Sequence, residues 1–233
     1  MTDLCTIAKQ SGTDKGPEHH QYTQYYDFYF NKLRNQSNQL LEIGIYRGTS
    51  LTMWKKYFDN DTKIVGTDIL PECKNYENQE DNVFVEIGDQ TDKEFLQGVS
   101  KLHGPFNIII DDGGHSWKQQ IVSFETLFPE LKPGGIYVIE DLHTSYWRDG
   151  KNFLKQNGIK DKFPDLDLTY GDYDICTTDY LKNLVDKVMI SGKSFTRYQE
   201  LNGTKLDYFE NNIEFIHFYK SMCFIKKKET PIQ

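Results

Sequence analysis

Five short apolar runs, most of them followed by a segment with helical spacing, constrain this chain more than any other feature. They occupy residues 39–44, 63–68, 83–88, 107–111 and 136–140. Runs of this length, rich in β-branched residues and flanked by glycine, read as strands buried in a parallel sheet. The intervening segments carry the other period. Ser50 to Phe58 repeats apolar residues at Leu51, Trp54, Tyr57 and Phe58, and Thr91 to Leu102 also reads as a helix. Ser116 to Leu131 does so at Ile121, Phe124, Leu127 and Phe128, with Pro133-Gly134 as its stop. Such alternation predicts an α/β fold, a doubly wound and mostly parallel sheet with right-handed crossovers.

The flanks complete the outline. Tyr22, Tyr25, Tyr26, Tyr29 and Leu33 share one helical face, so residues 1–35 predict a helical N-terminal cover. Residues 142–176 contain Pro164, several glycines and many aromatics without a period. A connection that long beyond a strand's C-terminal end predicts a lid. Thr178 to Met189 reads as a helix. Ile213 to Tyr219 and Met222 to Lys227 read as an antiparallel hairpin, which brings the sheet to seven strands. The length of 233 residues suits one domain spanning 1–233.

Two of the runs end in adjacent carboxylates, Asp111-Asp112-Gly-Gly-His115 and Glu140-Asp141. Ligands of open α/β sheets bind beyond the C-terminal strand ends. Neighbouring strands would bring these four acids together, and their repulsion calls for a divalent cation or a cationic ligand. Three carboxylates are hard oxygen donors of the kind Mg²⁺ prefers. The motifs hold no cysteine and no paired histidine, so zinc is not expected. His115, three residues after Asp112, has the side chain of a general base, although its position also suits the N-cap of a helix beginning at Ser116. Asp111 has a plain alternative as a carboxylate packed beneath the sheet.

The first strand leads into Glu42-Ile-Gly44-Ile-Tyr-Arg-Gly48-Thr-Ser50. Glycines there let a ligand approach the backbone, and the next helix offers free amide donors. The spacing is not the Gly-x-Gly-x-x-Gly of a pyrophosphate loop, and its leading acid favours a ligand with a cationic part. Asp68 closes the second strand, where a carboxylate can hold ribose hydroxyls or simply cap the next segment. Asp89 and Gln90 close the third, where they could bond an adenine edge or form an Asx turn.

Composition narrows the partners. With 27 Lys and Arg against 35 Asp and Glu, the net charge is -8. That balance argues against nucleic acid or an anionic membrane as the main partner. Lys226, Lys227 and Lys228 are expected to be a solvated strand end. Cys5, Cys73, Cys176 and Cys223 contain no Cys-x-x-Cys pair, which predicts thiols in a reducing compartment. No apolar run approaches the ~20 residues of a membrane-spanning helix, and no signal-like segment opens the chain, so a cytoplasmic location is expected.

Taken in order, Leu-Leu-Glu-Ile-Gly, Gly-Thr-Asp, Gly-Asp-Gln, Ile-Asp-Asp-Gly-Gly-His and Pro-Gly-Gly-Ile-Tyr-Val-Ile-Glu-Asp resemble the class I S-adenosylmethionine-dependent methyltransferases. More narrowly, they resemble the metal-dependent sugar O-methyltransferases of the mycinamicin and macrocin type. The resemblance covers about residues 10 to 147 and extends plausibly to the C-terminal hairpin. It implies a Rossmann-like methyltransferase fold that uses S-adenosyl-L-methionine and Mg²⁺. It places Glu42, Gly44, Gly48, Ser50, Asp68, Asp89, Gln90 and Asp111 at the cofactor. Asp112, Glu140 and Asp141 would hold the metal, with His115 as the base. Gly12-Thr-Asp-Lys-Gly16 and Tyr22 also look familial and would fold over the cofactor. The acceptor is expected to be a carbohydrate hydroxyl on a nucleotide-linked sugar or glycan precursor. A catechol, a phosphorylated compound or another natural product is the alternative acceptor. A non-catalytic nucleotide-binding subunit and a nicotinamide-dependent oxidoreductase are further rivals, and homo-oligomerisation is left open.

Overall fold

The computed structural model describes residues 3–58, 61–147, 173–190 and 207–230. The chain divides into two compact units, Met1–Gly113 and Gly114–Gln233. Seven strands are described, four in the first unit and three in the second.

In the first unit, β1 (Gln39–Ile43), β2 (Lys63–Asp68), β3 (Val83–Ile87) and β4 (Phe106–Asp111) are parallel. Leu40, Leu41, Ile64, Val65, Ile108, Ile109 and Ile110 are buried, so both faces of the central strands are covered. This explains why the runs are continuously apolar instead of alternating. The helices are α1 (Asp3–Ser11), α2 (Thr23–Phe30), α3 (Thr49–Tyr57) and α4 (Lys93–His103). Tyr26 and Phe30 of α2 pack against Trp54 of α3, with ring centroids 5.1 and 6.2 Å apart. The N-terminal tyrosine stripe therefore covers the first helix after the glycine turn. Asp92 caps α4 by accepting from the Glu94 and Phe95 amides.

The second unit contains α5 (Trp117–Leu127), β5 (Leu131–Ile139), α6 (Thr177–Ile190), α7 (Tyr208–Asn212), β6 (Ile213–Tyr219) and β7 (Met222–Lys227). Strand β7 is antiparallel to both β5 and β6, so the C-terminal hairpin forms as expected. Phe124 of α5 packs edge-on to Tyr137 of β5 and stacks on Phe209 of α7, both at 5.3 Å.

Several boundaries move. Helix α5 stops at Leu127 because Pro129 begins a 3₁₀ turn over Phe128–Glu130. Strand β5 starts at Leu131 and runs through Pro133-Gly134, earlier than the expected Ile136. Helix α1 lies within the expected N-terminal helical cover, whereas α7 was not expected. The lysine cluster is not a solvated tail. The buried Lys227 Nζ donates to the carbonyls of Pro129 and Leu131 at 2.7 Å, and Lys228 Nζ donates to that of Asn211 at 2.7 Å. A 3₁₀ turn over Leu142–Tyr146 begins the 142–176 segment expected to be a lid, and residues 148–172 of it lie outside the described residues.

Candidate active site

The ends of β1, β2, β3 and β4 carry the acids and glycines of the first unit. Gly44 has φ +81°, and a Cβ there would lie 2.1 Å from the carbonyl oxygen of Asp112. Only glycine lets these two backbones meet. Gly48, at φ +67°, is the N-cap of α3, and a Cβ there would press into the Tyr76 ring at 2.6 Å. Asp68 braces the turn between them. Its Oδ2 accepts from the Ile45 and Tyr46 amides at 3.0 and 2.8 Å, and its Oδ1 accepts from the Leu70 amide at 3.0 Å. Both the capping role and the position beside the glycine turn are therefore present.

Asp89 is exposed and closes an Asx turn by accepting from the Thr91 amide at 2.7 Å. Gln90 is buried and points inward, its Nε2 donating to Asp111 Oδ1 at 3.1 Å. Asp111 is fully buried and also accepts from the Gly113 amide at 3.3 Å. It thus packs beneath the strand end, while Asp112 reaches the surface with 21% of its side chain exposed. Ser50 is buried in the first turn of α3 and faces Glu42.

Among the described residues, Glu42 and Lys15 form the most buried charged contact. Their side chains are 0% and 1% exposed, with Lys15 Nζ 3.5 Å from Glu42 Oε1. The same ammonium contacts Asp112 Oδ2. Burial pushes the Glu42 carboxyl up to about 7 against the opposing pull of Lys15, and Asp112 adds to the rise. Ser50 and Trp54 favour its charged form as hydrogen-bonding neighbours. Lys15 is the site residue that sequence reasoning undervalued. Its only signal was the Gly12-Thr-Asp-Lys-Gly16 segment.

In the second unit, Ser116 is the N-cap of α5. Its Oγ accepts from the Gln119 amide at 3.3 Å, and Gln119 returns the bond at 3.1 Å. The capping alternative for His115 is therefore taken by its neighbour. His115 has φ +59° and Asp141 φ +55°, both in the left-handed region. Non-glycine residues in that region are worth examining at functional sites. His115 Nε2 lies 3.4 Å from Asp141 Oδ2, and Thr144 Oγ1 donates to the His115 carbonyl at 2.9 Å. His143 shares a 2.6 Å hydrogen bond with Ser221 in the β6–β7 turn. Its ring lies 4.9 Å from that of Trp147, and Tyr146 is exposed.

Within the second unit an imidazole and a carboxylate therefore face each other, His115 Nε2 against Asp141 Oδ2. Glu140 precedes Asp141 at the end of β5. It is 2% exposed, and its carbonyl accepts from Gln120 Nε2 at 2.9 Å. A hard carboxylate beside an imidazole can contribute donors to a divalent cation.

Comparison with known proteins points the same way. A family model described as a methyltransferase domain matches residues 41–142. Demethylmacrocin O-methyltransferase of Streptomyces fradiae is 34% identical over 97% of this chain and 53% of its own length. Mycinamicin VI 2''-O-methyltransferase of Micromonospora griseorubida is 33% identical over 97% of this chain and 52% of its own. Among solved structures, the mycinamycin-pathway methyltransferase MycE, in complex with Mg and SAH, superposes with a TM-score of 0.75. It is 32% identical, over 97% of this chain and 54% of that one. The chain therefore spans about half the length of the relatives it matches.

Proposed function

We propose that the chain is a class I S-adenosylmethionine-dependent methyltransferase domain, similar to the macrolide-sugar O-methyltransferases, and that it methylates a sugar hydroxyl. The observation that carries this reading is the pairing of His115 Nε2 with Asp141 Oδ2 at 3.4 Å, both residues being held in the left-handed region. S-adenosylmethionine would supply an electrophilic methyl group, and Mg²⁺ would polarise the attacking hydroxyl and lower its pKa.

The chain's own residues divide the remaining work. Asp112 and Asp141 are the proposed oxygen donors to the metal, with Glu140 as the third. Gly44 and Gly48 give the turn after β1 its left-handed course beside the proposed cofactor site, and Glu42 offers a buried carboxyl to a cationic ligand. Ser50, Asp68, Asp89, Gln90 and Asp111 complete the proposed cofactor wall, with Gln90 held in place by Asp111. His115 Nε2 takes the hydroxyl proton as the new O–CH₃ bond forms and the S–CH₃ bond breaks. The Asp141 carboxylate, 3.4 Å away, stabilises the resulting imidazolium.

The relatives' names favour a sugar already attached to a natural product, while the sequence alone pointed to a nucleotide-linked sugar. Cys5, Cys73, Cys176 and Cys223 are free thiols. Among the described residues no helix is long and apolar enough to cross a membrane.

Mass spectrometry tests the proposal. Protein, cofactor and Mg²⁺ are incubated with glycosylated polyketides in one arm and nucleotide sugars in the other. A methyl mass shift that disappears with a chelator is expected in at least one arm. His115→Ala should bind S-adenosylhomocysteine normally and lose at least a hundredfold in turnover. Turnover that survives exhaustive chelation would overturn the metal role, and wild-type turnover in His115→Ala would overturn the base.

A further inference from the structure

We propose that Lys15 is a positioning residue for metal binding: its buried ammonium, held between Glu42 and Asp112, fixes the Asp112 carboxylate as a ligand. The inference rests on the reading of Asp112 as a metal donor. Asp112 lies one residue past the end of β4, in a turn that continues through Gly113 and Gly114. Its backbone is pinned, because its amide donates to the Ile43 carbonyl at 2.9 Å and Gly44 packs against its own carbonyl. Its side chain is held by Lys15, which contacts Oδ2.

Lys15 is itself anchored. Its carbonyl accepts from the Tyr22 and Thr23 amides at 3.0 and 3.2 Å, which ties the Gly12–Gly16 segment to the start of α2. Its ammonium lies 3.5 Å from Glu42 Oε1, and its side chain is 1% exposed. A lysine buried to this extent pays a desolvation cost that surface placement would avoid. Ligating carboxylates are themselves held by outer partners, and losing such a partner typically weakens metal affinity about 10–100-fold.

Charge alone makes the opposite prediction. A fixed cation beside a metal ligand repels a dication, so removing it should tighten binding. The opposed signs make the experiment decisive. Mn²⁺ is titrated without cofactor against wild type, Lys15→Met and the charge-balanced Lys15→Met/Glu42→Gln variant, with free Mn²⁺ read by electron paramagnetic resonance. Circular dichroism confirms that each protein is folded. Both variants are expected to bind Mn²⁺ at least tenfold more weakly than wild type. The double variant leaves no unpaired buried carboxylate, so it carries the comparison if Lys15→Met alone does not fold. Mn²⁺ affinity equal to or tighter than wild type in a folded variant would overturn the inference. A wild-type protein that binds no Mn²⁺ would overturn the metal reading itself, which distinguishes the two failures.

Discussion

Glu42 is the residue at which burial and neighbouring charge oppose each other most directly. Its carboxyl is raised from 4.5 to about 7, chiefly by burial. A carboxyl raised on folding makes the native state bind more protons than the unfolded state between those two values. Its stabilising contribution is therefore full below about pH 4.5 and is lost as pH rises through about 7. A shift of that size corresponds to about 3 kcal/mol at most. Glu42→Gln should remove this dependence. Urea midpoints of the ligand-free protein at pH 5 and pH 8 should differ less in the variant than in wild type. An unchanged difference would mean that Glu42 has an ordinary carboxyl.

At the scale of the element, the turn after β1 is the most demanding piece of backbone. Gly44→Ala would place a methyl group 2.1 Å from the Asp112 carbonyl oxygen in a conformation that L residues avoid. The change should destabilise the fold by roughly 2–4 kcal/mol and weaken S-adenosylhomocysteine binding. Denaturant melts and calorimetry check both effects, and a variant with wild-type values would show that the contact relaxes freely. This turn was legible in the sequence because glycine declares its own geometry. The strands were legible for a related reason, since an unbroken run such as Leu40 to Ile43 suits only a covered sheet. The helix cap at Ser116 was harder to read, because His115 and Ser116 both precede the apolar period and only the return bond from Gln119 separates them. Helix α7 has five residues, too few to display a period. Lys15 was not legible as a buried cation, because its burial comes from Glu42 and Asp112, which lie 27 and 97 residues further along the chain. Nothing local to Gly12-Thr-Asp-Lys-Gly16 announces those partners.

At the scale of the whole molecule, the net charge of -8 complicates any claim of specific metal binding. A dication stabilises an acidic chain by screening alone, so a rise in melting temperature with Mg²⁺ proves little at low salt. Near 0.15 M ionic strength the screening length is about 8 Å, and general charge effects are already damped. Melts should therefore compare Mg²⁺ with monovalent salt at matched ionic strength. Ligands that bind only the folded state stabilise it by mass action, by about 2.7 kcal/mol at one hundred times the dissociation constant. For a chain of this length that corresponds to roughly 5–10 °C. S-adenosylhomocysteine should give such a shift and NAD should give none. Mg²⁺ should add its own increment in wild type, and Asp141→Asn should lose that increment while keeping the one from S-adenosylhomocysteine. Screening acts on the summed charge and changes little when one acid of 35 is neutralised, whereas coordination depends on the individual ligand. An Mg²⁺ increment that survives in Asp141→Asn would therefore assign the effect to charge and remove Asp141 from the metal site.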